Sequence, residues 1–228
     1  MYCDSTTQIH FSPSGTTAQV LAHFTQALTG QAKTIDLLNN PPTEETSFGP
    51  EDFVVVGLPV FAGRIPSVCP AMLAKLKGQN TPAVAIVVYG NRDYDDALVE
   101  LCDLLQAKGF LVLGAAAFIA RHSIFPVVAT ARPDGEDQQK ITQFARQCQE
   151  KLAKGKEAFV LQETVKGNRP YKETTALPLI PTGDAACTKC QTCVAICPTK
   201  AIAEDDPIQT DPARCISCTA CILSLIHI

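Results

Sequence analysis

Phe53-Val54-Val55-Val56-Gly57-Leu58 is an apolar run without a polar interruption. A strand wet on one face alternates apolar and polar side chains. An unbroken run therefore belongs to a strand covered on both faces, as in a parallel sheet between two helical layers. Ala83-Val84-Ala85-Ile86-Val87-Val88 has the same character further on. Between the two runs, Val68, Met72, Leu73 and Leu76 fall on one side of a helix, with Gly78 after its end.

The pattern continues outward in both directions. Thr7–Phe11 is a short strand, followed by a Ser/Pro/Gly turn. Val20, Leu21, Phe24, Ala27 and Leu28 then recur at helical spacing up to Gly30, and Lys33–Leu37 reads as a weak strand. Beyond the second apolar run, Asp95 is the expected N-cap of a helix through Lys108, with Leu98, Leu101, Cys102 and Leu105 on one face and Gly109 at its end. Phe110–Phe118 is the last strand, and Ile141, Phe144, Ala145, Cys148 and Leu152 mark a final amphipathic helix closed by Gly155. Alternating strands and helices predict right-handed βαβ units in a doubly wound parallel sheet. Five strands in 155 residues suit the order 2-1-3-4-5 better than a six-stranded dinucleotide fold.

Composition narrows the class. The chain has 228 residues, 46% hydrophobic and 18% charged, enough apolar material for a core and few charges for a disordered chain. A net charge of −4 with no Lys/Arg stripe argues against nucleic acid as a partner. Met1 to Gly15 has no basic stretch leading into an apolar run, and Phe110 to Ala120 is too short to span a bilayer. The expected location is the cytoplasm. In that reducing compartment eleven cysteines point away from disulfides. Cys3, Cys69, Cys102 and Cys148 are scattered, the last two on apolar helix faces as core residues.

Periodicity disappears from Lys156 to Pro181, where Pro170, Pro178 and Pro181 interrupt the chain, so 156–181 is expected to be a linker. The remaining seven cysteines follow it. Cys187-x-x-Cys190-x-x-Cys193 recurs as Cys215-x-x-Cys218-x-x-Cys221, offset by 28 residues, and the first run continues to Cys197-Pro198. This is the bacterial C-x₂-C-x₂-C-x₃-C-P pattern, in which three close thiolates hold one corner of an iron–sulfur cubane and the fourth cysteine ligates the other cluster. Ala195, Ile196, Ile202 and Ile216 would keep water away from such clusters. Zinc is the rival, but two successive triplets suit a four-ligand zinc ribbon poorly.

Two [4Fe–4S] clusters are therefore expected. Cys197, Cys215, Cys218 and Cys221 form a complete ligand set, whereas Cys187, Cys190 and Cys193 lack a fourth thiolate because position 225 is leucine. The closing Leu-Ser-Leu-Ile-His-Ile resembles the translation of a transposase adapter used in sequencing libraries. The expectation is that the native chain continues with Cys and Pro, and that His227 is not a ligand.

Three loops converge on the end of the sheet where its strand order reverses. Ser12-Pro13-Ser14-Gly15-Thr16-Thr17 opens the first helix with hydroxyls and N–H groups suited to a phosphate. Pro59, Val60, Phe61, Ala62 and Gly63 leave the third strand, and Tyr89, Gly90, Asn91, Tyr94 and Asp95 leave the fourth. The first loop matches the flavodoxin phosphate pattern [ST]-x-[ST]-G-x-T, which makes FMN the expected ligand. Phe61 and Tyr94 are the expected stacking residues, with Tyr89 in reserve. Arg64 and Arg92 could pair with the acidic linker or with a partner, a solvated surface role being the default reading for each, and His10, His23 and His122 read as structural. No catalytic set stands out.

Together these motifs resemble the flavodoxin–ferredoxin fusion proteins of anaerobic bacteria and archaea, the EFR1 family, over nearly the whole chain. The resemblance implies a flavodoxin-like domain over 1–155 and a small α+β ferredoxin-like domain over 182–228. It also implies electron shuttling with redox partner proteins. Three readings stand side by side: a carrier moving electrons between FMN and the clusters, a flavoenzyme fed by the clusters, and an iron–sulfur protein on a flavin-free docking domain.

Overall fold

The computed structural model describes residues 5–225 apart from 29, 160, 162, 163 and 175–178. Cys3, Pro178 and His227 lie outside the described residues. Strands β1 (Ser5–His10), β2 (Lys33–Asp36), β4 (Asp52–Pro59), β6 (Thr81–Tyr89) and β7 (Phe110–Ile119) form one parallel sheet in the order β2-β1-β4-β6-β7. Counted within the sheet this is 2-1-3-4-5, the flavodoxin-like order.

Alternation along the two apolar strands sends side chains to opposite layers. Val54, Val56 and Leu58 of β4, with Ala83, Ala85 and Val87 of β6, pack with α2 (Cys69–Leu73) and α3 (Ala97–Ala107). Phe53, Val55, Val84, Ile86 and Val88 pack on the other face with α1 (Thr16–Leu28) and α4 (Gly135–Lys154). Asp134 opens α4 with a reciprocal cap. Its carboxylate accepts from the Glu136 and Asp137 N–H groups at 3.0 Å, and Asp137 accepts from the Asp134 N–H at 3.0 Å. Cys102 and Cys148 are buried core thiols, each pushed up to about 12 by that burial.

Two local expectations are corrected. The helix read through Leu76 ends at Leu73. Leu76–Gly78 is instead strand β5, paired parallel with β3 (Thr46–Phe48) in a small second sheet. Burial of Leu76 meets either period, and only the tertiary pairing decides between them. Asp95 is also not the cap of α3: Asp96 holds that position, and its carboxylate bonds elsewhere.

Gly109 joins α3 to β7 at φ +84°, and a Cβ there would stand 2.3 Å from the Gly78 carbonyl oxygen. The obstacle is backbone, so it cannot turn aside. Gly109→Ala is expected to cost about 2–4 kcal/mol from left-handed strain plus overpacking. A urea melt showing less than about 1 kcal/mol would refute this close approach.

After α4 comes a 3-10 turn (Lys156–Ala158), and Arg169 and Tyr171 further on lie against Asp103 of α3. The segment beyond 182 carries α5 (Thr192–Ile196), α6 (Ala220–Leu225) and an isolated antiparallel bridge between Ile202 and Thr210.

Candidate functional site

The two cysteine runs have the same backbone. Lys189 and Gln191 take φ 55° and 66°, and Ser217 and Thr219, 28 residues on, take 53° and 65°. Left-handed backbone costs a non-glycine residue about 1–2 kcal/mol, so its recurrence at matching positions marks a shape the fold imposes. Alternating hands of this kind turn successive N–H groups into one concavity that suits a negatively charged guest. Helices α5 and α6 begin at matching positions, at Thr192 and Ala220.

Several donors face the sulfurs. The Ala201 N–H lies 3.3 Å from the Cys197 Sγ, the Ser217 N–H 3.4 Å from the Cys215 Sγ, and the Thr192 hydroxyl 3.3 Å from the Cys190 Sγ. The Cys190 thiol is lowered, first by the Thr192 hydroxyl. At Cys197 burial works upward, but the Thr199 hydroxyl and the N–H groups of Ala201, Thr199 and Ile202 outweigh it and the thiol is lowered. Burial raises Cys193 and Cys221, and carries Cys218 up to about 11.

The seven cysteines surround two spaces. Cys187, Cys190 and Cys193 line a cavity of about 620 Å³ together with Ile202, Ile222 and Leu225. Cys197, Cys215 and Cys218 line a second, of about 210 Å³, with Ile124 and Ile216. Cys221 borders both. Leu225 takes the place in the first cavity that Cys197, 28 residues earlier, takes in the second. Among the described residues no three Cys, His, Asp or Glu side chains converge on a single-ion position.

At the C-terminal edge of the large sheet the predicted loops meet in part. Ser14, Thr16, Pro59, Val60, Phe61, Tyr89 and Gly90 line one cleft of about 40 Å³. Ser12 is absent from it, its hydroxyl accepting the Ala18 N–H at 2.9 Å. Thr17 points inward and is 1% exposed. Gly15, at φ +80°, has nothing within 4 Å of where a Cβ would stand, so the mouth of α1 is open there.

Ala62, Gly63, Asn91, Tyr94 and Asp95 lie off the cleft. The Asp96 N–H donates to the Gly63 carbonyl at 3.0 Å, which ties the second and third loops together. Tyr94 meets Tyr89 edge-on at 5.5 Å, and the Lys166 ammonium lies 4.8 Å from its ring centroid. Tyr94, an expected stacking residue, thus has Tyr89 and Lys166 against its ring rather than a place in the cleft lining.

The fourth wall was not anticipated. Ala120, Arg121, His122 and Ser123, beyond β7, line the cleft, and so does Cys218. The position after the last parallel strand was the available signal for the first four. For Cys218 there was none. The His122 Nδ1 accepts from the Ile124 and Phe125 N–H groups at 3.2 Å, and burial lowers its pKa. His23 bridges α1 to the Gln138 carbonyl and the Thr142 hydroxyl of α4, both at 3.1 Å.

The expected linker is a strap on α3. Lys166 pairs with Asp93, Arg169 with Asp103, and Lys172 with Asp95. The Asn168 and Lys172 N–H groups donate to Asp96 at 2.8 and 2.7 Å. Arg64 is not solvated. It forks onto Glu100 with two bonds of 2.6 Å and reaches the Lys172 carbonyl at 2.6 Å.

The strap carboxylates are held low. Lys166 brings Asp93 to about 2, Lys172 and Arg92 lower Asp95, the Lys172 and Asn168 N–H groups lower Asp96, and Arg169 lowers Asp103. Unfolded aspartate titrates near about 3.9, so this contribution is complete above that pH and is lost as the pH falls through the folded values. Hydrogen exchange in 164–174 is expected to show constant protection from pH 8 to 5 and loosening between about pH 4 and 2. Release near pH 6 would overturn the assignment.

The sheet order and the position of the cleft define a flavodoxin-like fold. The chain matches no protein-family profile and no curated protein. Among solved structures it is similar to a flavodoxin from the domain Archaea, 12% identical over 65% of this chain and 99% of that one, with a TM-score of 0.41. It is also similar to the apo form of the NADH:FMN oxidoreductase EMOB, 15% identical over 71% and 95%, TM-score 0.44. A third is the flavodiiron core of Flv1 from Synechocystis sp. PCC6803, 12% identical over 67% and 37%, TM-score 0.46. The likeness is one of fold alone.

Proposed function

We propose that this chain is a cytoplasmic electron-transfer protein, with a ferredoxin-type domain over 182–228 that holds two [4Fe–4S] clusters. A flavodoxin-like domain over 1–155 takes FMN at its C-terminal sheet edge, and 156–181 straps the two together. One observation carries this reading. The cysteines group about two cavities, Cys187, Cys190 and Cys193 at one and Cys197, Cys215 and Cys218 at the other with Cys221 bordering both, a grouping that agrees with the crossed ligand pattern of the repeat.

The residues suit the clusters. Both spaces far exceed the roughly 30 Å³ share of a water molecule, and thiols and aliphatic side chains line both, with Asp184, Lys189 and Gln191 also at the first and the Thr199, Ser217 and Thr219 hydroxyls at the second. Cys187, Cys190 and Cys193 would hold one cluster, and Cys197, Cys215, Cys218 and Cys221 the other. Clusters exchange single electrons, and FMN when bound supplies one- or two-electron chemistry. Ile202, Ile216, Ile222 and Leu225 cover part of each space, and the N–H groups aimed at the Cys197 and Cys215 sulfurs favour added negative charge.

For FMN the fit is divided. The open mouth of α1, with the Ser14 and Thr16 hydroxyls 3.0 Å apart, suits a phosphate. The ring end does not fit the cleft as it stands, because about 40 Å³ is scarcely more than one water.

Anaerobic purification followed by an absorption spectrum with iron and flavin assays tests the proposal. About eight irons and one FMN per chain would bear it out. Iron without flavin would leave the flavin-free docking reading, and flavin without iron would overturn the cysteine assignment. Leu225→Cys supplies a thiol to the first cavity. It is expected to slow loss of that cluster in air at least several-fold, followed by the decay of its visible absorption.

A further inference from the structure

We infer that the second cysteine repeat, Cys215–Cys221, is a removable wall of the flavin cleft, so that its docking there and occupation of the cleft by a flavin ring exclude one another. The inference rests on the flavin reading above and adds a gate to it.

Three observations carry it. Cys218 borders both the second cysteine cavity and the cleft, so one residue separates the two spaces. Ile216 packs against the core layer that holds α2 and α3, as do the cleft residues Val60 and Phe61. The cleft left by this arrangement is about 40 Å³, whereas pockets for ligands of flavin size run to about 300 Å³ or more.

The contact is also of a kind that opens. Among the described residues, the hydrogen bonds of the repeat stay on its own side. Ser217 Oγ donates to the Leu179 carbonyl at 3.0 Å, Cys215 N–H to the Asp211 carbonyl at 3.0 Å, and Leu223 N–H to the Thr219 carbonyl at 3.0 Å. Docking on the flavodoxin-like domain thus rests on apolar contact, and undocking leaves few polar groups unpaired. The ion pairs of the strap, which reach Lys172, keep a lifted repeat close to the cleft.

The test is FMN binding to the full chain with its clusters, followed by quenching of flavin fluorescence, in wild type and in Ile216→Asp. A charge at 216 disfavours the docked state, so the variant is expected to bind FMN at least tenfold more tightly. Hydrogen exchange of 215–221 in the wild type, with and without saturating FMN, is an independent reading that survives if the variant loses its clusters. FMN is expected to raise exchange there. Equal affinities with unchanged exchange would overturn the gate and leave flavin binding standing. FMN binding to neither protein would overturn the flavin reading, and the gate with it.

Discussion

Replacing Cys197 with serine is expected to remove the cluster of the second repeat while the cluster of its own run survives, lowering iron from about eight to about four atoms per chain. Cys197 follows Cys193 by four positions but lines the cavity of Cys215 and Cys218, not that of Cys187 and Cys190. Cys190→Ser is expected to remove the other cluster, so the two variants separate the centres by iron content and by electron paramagnetic resonance of the reduced protein. Equal damage to both centres from either variant would refute the division into two sites.

The structural consequence is as large. Between 182 and 225, Ile202 is the one large aliphatic side chain buried among the described residues. So small an apolar core contributes little stability, and on the proposed reading the metal–thiolate bonds would supply the rest. Loss of both clusters is expected to make 182–225 protease-sensitive while the five-stranded domain, with its own two core layers, stays folded.

Arg64→Ala is the second large effect. Glu100 has a side chain only 8% exposed, and the Arg64 fork is its sole charged partner among the described residues. The Ile65 N–H adds a third bond at 3.2 Å. Removing one member of a buried pair leaves an uncompensated charge, at a cost of about 3–5 kcal/mol. For a domain of this size that lowers the melting temperature by about 6–20 °C. Arg64→Met with Glu100→Leu is expected to recover most of the loss, because it removes both charges and keeps the packing. A single variant melting within 2 °C of wild type would show that the pair is not buried in solution. The same change frees the Lys172 carbonyl, so the strap is expected to loosen with it.

Legibility of the sequence followed locality. The two apolar runs became β4 and β6 because their burial demands covering on both faces, whatever surrounds them. The cysteine repeat was equally legible, since its offset is written in the intervals themselves, and Cys197 lines the cavity of Cys215 and Cys218. The stretch 68–78 was not, because Leu76 satisfies a helix and a strand alike and only its pairing with Thr46 chooses. Arg64 read as a surface charge because its partner lies 36 residues away, on the first turn of α3.

At the cleft the division is sharpest. Ser14, Thr16, Phe61 and Tyr89 were visible as loop residues at a strand-order reversal, a consequence of topology that the strand pattern alone dictates. Tyr94 was expected in a stack, and its contacts with Tyr89 and with Lys166 of the strap were not legible in the sequence. By itself the sequence determined which strands form the sheet, which end of it is open and which cysteines belong together, because each depends on spacing along the chain. Tertiary structure alone decided that the second cysteine repeat closes that open end. Such a contact depends on apolar surfaces meeting across about 130 residues, and the hydrophobic effect that drives it carries no direction a linear pattern can record.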